Sequence, residues 1–272
     1  MPPPEVQSAA GERLQVAREA AIAAGELLVG LFRKPVPARF KRGDSMVSDA
    51  DHAAEKLILE RVTRAFPGDS ILAEESGLTR GDSGWCWTLD PLDGTQNFLA
   101  GVPLFSVAIA VFHGAAPAVA LVHDPVRQES YTALKGRGAR RDGIALAAGT
   151  EPLGPSSLIA VRHRFLRREA DRIYDLLPTR KFRSFGSMSL ELAYAAQGTV
   201  DLVLANRPHL WDVAPGGLLI EEAGGVVRGF DGEAVFPLPE EIGGAAEHRY
   251  RIVAGGMAAV ESVLPHLRSL PA

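Results

Sequence analysis

The sequence predicts an α+β protein built from layered sheets and helices. Three observations carry this expectation. Two amphipathic helical stretches open the chain, a meander of apolar strand-like runs punctuated by glycines follows, and helices alternate with strands through the second half. The chain has 272 residues, within the range of roughly 250–300 at which single cores begin to divide. One compact unit with two lobes is therefore expected, a first lobe over 1–150 and a second over 151–272. The boundary falls at the composition change 147-AAGTEPLGPSS-157.

The first helix is expected from about Glu12 to Phe32, after a short disordered tail, and Pro35 and Pro37 end it. In the next stretch Ala54, Leu57, Ile58, Val62, Ala65 and Phe66 recur at helical spacing, and Pro67-Gly68 stops that helix. The segment 71-ILAEESG-77 reads as a strand entering a polar turn, and 85-WCWTL-89, 103-PLFSVAIAVF-112 and 117-PAVALVHD-124 read as further strands. Past the boundary, 158-LIAVRH-163 and 200-VDLVLA-205 are strand-like. The runs 166–177, 188–198 and 212–225 are helical, and 251-RIVAGG-256 leads into a final helix.

A hydrophobic fraction of 46% and a charged fraction of 23% are ordinary for a globular chain. A net charge of -4 gives no reason to expect nucleic acid or an anionic membrane as partner. Charged residues interrupt the N-terminal stretch, so it does not read as a signal peptide, and no run is long enough to span a bilayer. Cys86 is the single cysteine, which excludes an internal disulfide and fits a reducing cytoplasm. Flanked by Trp85 and Trp87, it reads as a buried, inert thiol.

Carboxylates collect at the ends of elements: Asp51, Glu74 with Glu75, Asp90, Asp93 and Asp212. Each has an ordinary explanation. Asp51 stands in a capping-box register with Ser48, Glu74-Glu75 could be an exposed turn, Asp212 could be a helix N-cap with Pro215 in the first turn, and 90-DPLD-93 could be a polar turn. Loops at one edge of a sheet also converge on one cleft, and hard divalent cations prefer oxygen ligands of this kind. No histidine or cysteine pattern suggests zinc. In 90-DPLDGT-95, Asp90 ends a strand, Pro91 stiffens the bend and Asp93 returns a second carboxylate toward the first. Gly94 lets backbone approach a ligand, and a helix starting near Thr95 would offer free N–H groups to a phosphate. Acids beside an anion-binding turn point to metal-bridged phosphate chemistry.

On these residues the chain resembles the inositol monophosphatase family, within the superfamily that includes fructose bisphosphatases. The blocks 71-ILAEES-76, 90-DPLDGTQNF-98 and 211-WDVAPGGLLIEEAGG-225 are similar to its three signatures, in order, and the resemblance runs from about Lys41 to Gly225. It implies a layered α/β/α/β/α sandwich of the sugar-phosphatase type, often a lithium-sensitive homodimer. It implies that Glu74, Asp90 and the Leu92 carbonyl hold one Mg2+ and that Asp90, Asp93 and Asp212 hold a second, with a third ion held weakly near Glu74. Gly94 and Thr95 would take phosphate oxygens through backbone N–H groups. Asp51 and the Thr95 hydroxyl would pair to orient or deprotonate the attacking water, Glu75 would lie behind the ligands, and Ser187 would face substrate along with Asp93 and Asp212. The reaction implied is direct hydrolysis of a small phosphorylated polyol by metal-activated water, with inositol monophosphate first and histidinol phosphate second. Two readings from other classes are a glycosidase using paired carboxylates and a non-catalytic metal or phosphate binder.

The chain departs from the inositol-specific pattern at Ala205, where those members carry an acid, and at Pro215, where alanine is usual. Asn206, Arg207 and His209 lie nearby as alternative readers of the leaving group, or as loop residues.

Overall fold

The structure, a computed structural model, describes residues 2–34, 37–40, 46–162, 174, 177–179, 181–239, 242–245 and 247–268. The helix expected over 166–177 lies almost wholly outside them.

Helix α1 (Pro4–Leu31) begins eight residues before the expected start, so the tail is helical rather than disordered. Pro4 sits in the first turn, where a missing N–H costs nothing and a fixed φ suits the helix. The Gln7 side chain closes the entry by donating to the Pro2 carbonyl at 2.9 Å. The buried stripe of α1 is Ala10, Ala17, Ala20, Ala21, Ala24 and Leu28, small side chains that let α2 (Asp49–Ala65) and a sheet approach closely.

That sheet has eight strands: β3 (Ser70–Ala73), β4 (Gly77–Thr79), β5 (Trp85–Asp93), β6 (Ser106–His113), β7 (Ala116–Asp124), β8 (Glu129–Leu134), β9 (Ala139–Arg141) and β10 (Ile144–Ala145). Their spatial order is β10-β9-β8-β7-β6-β5-β3-β4. Strands β1 (Ala38–Phe40) and β2 (Met46–Ser48) form a separate hairpin leading into α2. Alternation assigns the two faces of the large sheet. Val107, Ile109 and Val111 meet α1 and α2, whereas Ala110 and Phe112 face the opposite side.

On that opposite side lie α4 (Met188–Ala196) and α5 (Leu210–Glu222), which also cover a second sheet. The second sheet runs β12-β11-β13-β15-β14, from β11 (Ile159–Arg162), β12 (Phe182–Arg183), β13 (Leu202–Asn206), β14 (Val226–Gly229) and β15 (Arg251–Gly255). Its outer face, with Ile159, Val161, Leu202, Leu204 and Val253, packs on α7 (Met257–Leu267). A short turn of helix, α6 (Ile242–Ala245), precedes β15. The result is the five-layer α/β/α/β/α sandwich that the family resemblance implied.

A buried ion pair fixes α1 to the first sheet. Arg13 holds Asp69 with Nε to Oδ2 at 2.9 Å and Nη2 to Oδ1 at 2.8 Å. Asp69 also accepts from Trp87 Nε1 and Ser83 Oγ, and the Arg13 guanidinium stacks on Phe66 and Trp85. Cys86 is buried as expected, and burial pushes its thiol up to about 12.

Candidate active site

Strand β5 does not end at Asp90; it continues to Asp93. Asp90 pairs with Ala108 and Asp93 with Ser106, so three steps on β5 match two on β6. In a regular strand, side chains three positions apart point to opposite faces. One bulge residue restores them to the same side, and Pro91, which cannot donate to a ladder, is tolerated there. The Leu92 N–H donates to Asp90 Oδ1 at 3.0 Å and fixes the bend. At Gly94, φ is +101°, and a Cβ would stand 3.0 Å from the Leu104 carbonyl, so glycine is required on both counts.

Parallel pairing of β3 with β5 sets Ala73 opposite Leu89, and the Glu74 N–H donates to the Leu89 carbonyl at 3.1 Å. Glu74 therefore enters the site beside Asp90. The Glu75 N–H donates to Glu55 Oε2 at 2.9 Å, which anchors the turn to α2.

Asp51 occupies the third position of α2 in a capping box. Its Oδ2 accepts from the Ser48 N–H at 2.7 Å and the Ser48 hydroxyl at 2.6 Å. Its Oδ1 accepts the Thr95 hydroxyl at 2.9 Å. The same hydroxyl lies 3.1 Å from the Leu92 carbonyl.

Asp212 is not the N-cap that the sequence suggested. Helix α5 starts two residues earlier, so His209 is the N-cap and the Asp212 Oδ2 accepts the His209 N–H at 2.7 Å. Pro215 consequently lies inside the helix rather than in its first turn. This entry geometry delivers Asp212 to the β5 bulge: Asp90, Asp93 and Asp212 each offer a carboxylate oxygen within 4.8 Å of the others, and all three are buried. The structure thus brings three acids from β5 and α5 together in one place.

Ser187 is fully buried behind Asp93 rather than open to a substrate. It caps α4 and donates to Asp93 Oδ2 at 2.7 Å. The Ser189 N–H donates to the same oxygen at 2.7 Å, and the Ser189 hydroxyl donates to it as well. Ser106 Oγ lies 3.0 Å from both serine hydroxyls. Asn97 donates to the Leu104 and Phe185 carbonyls at 2.7 Å each, and Phe98 is in the core, so the residues after Thr95 brace the site.

Ser106, Ser189, Arg162 and Glu191 were not anticipated. Arg162 ends β11, and its Nη1 stands 3.7 Å from Asp93 Oδ1. Glu191 on α4 is fully buried and accepts the Phe185 N–H at 2.7 Å through Oε1. Ala205 is buried beside Arg162 in the β11–β13 register. Asn206 is buried, Arg207 is exposed with φ +68°, and His209 stacks on Trp211.

Charge crowding dominates the electrostatics. Burial raises the Asp90 carboxyl well above the usual carboxylate range, and Glu74, Asp93, Asp212 and Asp51 raise it further. Burial pushes Glu191 up to about 7, against the opposing pull of Arg162. Burial alone would make Arg162 easier to deprotonate, but Asp212, Asp93, Glu191 and Asp90 outweigh it and raise its pKa. Buried carboxylates with this much mutual repulsion are a donor set that a hard divalent cation fits, since it removes the repulsion and prefers oxygen.

A layered sandwich with buried acids at the bulged end of an interior strand of its larger sheet is the fold of solved inositol monophosphatases. The chain belongs to the inositol monophosphatase family, a metal-dependent family whose model matches residues 10–264. Nus factor SuhB of Escherichia coli K12 is 35% identical over 264 residues, covering 94% of this chain and 95% of that protein. The crystal structure of the extragenic suppressor protein suhB from Bartonella henselae superposes with TM-score 0.84 at 29% identity, covering 94% of this chain and 98% of that one. An inositol monophosphatase from Anabaena superposes with TM-score 0.77 at 32% identity, covering 95% and 96%. Among the described residues, no helix is long and apolar enough to cross a membrane.

Proposed function

We propose that the chain is a Mg2+-dependent phosphomonoesterase that hydrolyses a small phosphorylated polyol, with inositol monophosphate the first candidate and histidinol phosphate the second. The observation that carries the reading is the buried carboxylate triad of Asp90, Asp93 and Asp212, set next to the Thr95–Asp51 hydrogen bond. Glu74, Asp90, the Leu92 carbonyl, Asp93 and Asp212 would hold two or three Mg2+ ions. When bound, the ions supply Lewis acidity that eases ionisation of water and offsets the charge of the ester.

The protein's own groups do the rest. The Thr95 hydroxyl, fixed by Asp51 Oδ1 and the Leu92 carbonyl, orients the attacking water, and Asp51 is positioned to receive its proton. The Gly94 and Thr95 N–H groups at the start of α3 (Thr95–Ala100) take phosphate oxygens. Glu75 and Glu55 stiffen the turn that carries Glu74. No side chain is needed as a nucleophile, so hydrolysis is direct.

The Nus factor name of the curated relatives raises a second reading, a Nus factor role independent of the acidic cluster. Phosphate release from inositol 1-phosphate and histidinol phosphate with and without Mg2+ tests the primary reading. Release that requires Mg2+ and falls at least about 10³-fold in Asp93→Asn, with unchanged circular dichroism, supports it. Turnover by Asp93→Asn near the wild-type rate overturns it, and insensitivity to EDTA favours the glycosidase-like alternative instead.

A further inference from the structure

Arg162 brings a cation to a site otherwise defined by acids. It is the last residue of β11, and in the parallel β11–β13 register it pairs with Ala205. Ala160, two residues earlier, belongs to the core under α4 and α5, so alternation turns the Arg162 side chain toward the same inner layer. The guanidinium reaches the acidic cluster at its Asp93 end, 3.7 Å from Oδ1, which is beyond hydrogen-bond length.

Three features distinguish this arginine from a structural counter-ion. Its Nη1 is buried and has no hydrogen-bond acceptor among the described residues. Its register neighbour Ala205 has no polar atom in its side chain to offer one. The Arg162 side chain nevertheless remains 31% exposed, whereas Asp93 beside it is 1% exposed. A structural guanidinium is ordinarily saturated by carboxylates or carbonyls, as Arg13 is by Asp69 and the Ala9 carbonyl. Arg162 instead presents a buried, unpaired Nη1 on a partly exposed side chain, beside a cluster suited to a phosphate ester. Glu191 is fully buried on α4 in the same layer, with Oε2 lacking a hydrogen-bond partner among the described residues.

We propose that Arg162 is a specificity-determining residue that recognises a second anionic oxygen group, carboxylate or phosphate, on the alcohol half of the substrate. The inference rests on the phosphatase reading and favours, over the neutral and cationic alcohols named there, phosphate esters that carry another anion. Planar donors of this kind match carboxylate and phosphate oxygens two at a time. A neutral hydroxyl offers the unpaired Nη1 a weaker acceptor than an anionic oxygen does, so a neutral polyol gains less from it.

Equilibrium binding of phosphonates at saturating Mg2+ tests the proposal without any turnover. The probes are 3-phosphonopropionate, propane-1,3-diphosphonate and the neutral-tailed propylphosphonate. Wild-type protein is expected to bind at least one of the two doubly anionic probes about tenfold more tightly than propylphosphonate, in line with a charge-assisted hydrogen bond. The tighter of the two identifies the second anion. In Arg162→Met the preference should vanish, the doubly anionic probe losing about tenfold more affinity than propylphosphonate does. Equal affinity for all three probes in wild type, or a preference that survives in Arg162→Met, overturns the proposal. Should Arg162→Met not fold, Arg162→Lys keeps the charge without the fork and is expected to reduce the preference to about threefold; an undiminished preference there overturns it too. Absence of binding by all three phosphonates at saturating Mg2+ removes the phosphatase reading, whereas equal, measurable phosphonate affinities remove only the role of Arg162.

Discussion

The Thr95 hydroxyl donates to Asp51 Oδ1 at 2.9 Å, joining residues 44 positions apart at the mouth of the site. Asp51 is itself held by two hydrogen bonds from Ser48, so the pair is rigid on the α2 side. Thr95 and Asp51 are expected to act as one unit. Thr95→Ala and Asp51→Asn should each lower kcat by about 10²–10⁴-fold, and the double variant should be no worse than the poorer single one. Steady-state kinetics of the three variants measures this, and fully multiplicative losses would separate the two residues.

Asp93 depends on a cluster of serines that spans two layers. Ser187 and Ser189 direct three donors at Oδ2 and so fix the rotation of the carboxylate, leaving Oδ1 on the side of Arg162. Ser189→Ala removes one donor but keeps the backbone N–H and Ser187. The Mg2+ concentration for half-maximal activity should rise about 3–10-fold with a smaller change in kcat. Metal titration of activity and a melting curve check this; unchanged metal dependence would make Ser189 a packing residue only.

The carboxylate cluster was legible in sequence because its chemistry is local. Asp-Pro-Leu-Asp-Gly-Thr announces a sharp polar turn after an apolar strand, and Asp51 carries its own capping-box register. The bulge that brings Asp90 and Asp93 to one side was not legible, since it exists only in the register of β5 against β6. Ser106 and Ser189 are 83 positions apart and meet only once the inner helices dock, so neither stands out alone. Arg162 follows an apolar strand with no local signal of the acids it faces. The start of α1 was misread because three consecutive prolines look like a breaker, although the last of them begins the helix.

Glu191 makes the metal-free protein sensitive to pH. Its carboxyl is raised from 4.5 to about 7 by burial. A carboxyl with a raised folded-state pKa favours folding below its ordinary value and loses that contribution as pH rises through the folded value. In EDTA, the wild-type melting temperature should therefore fall between about pH 5 and about pH 8. Glu191→Gln should flatten that fall by about 2 kcal/mol, or roughly 5 °C for a chain of this size. Asp90 shifts in the same direction but is present in both proteins. Parallel melting curves for the two proteins across this range would remove Glu191 from the account.

The central claim is that Asp90, Asp93 and Asp212 hold a divalent cation together. Crystals grown with Mn2+ in place of Mg2+, with anomalous data collected at the manganese edge, test it most directly. The account expects a peak about 2.2 Å from oxygens of all three residues. A map with no peak there, or with Asp212 turned away from the β5 bulge, would contradict it.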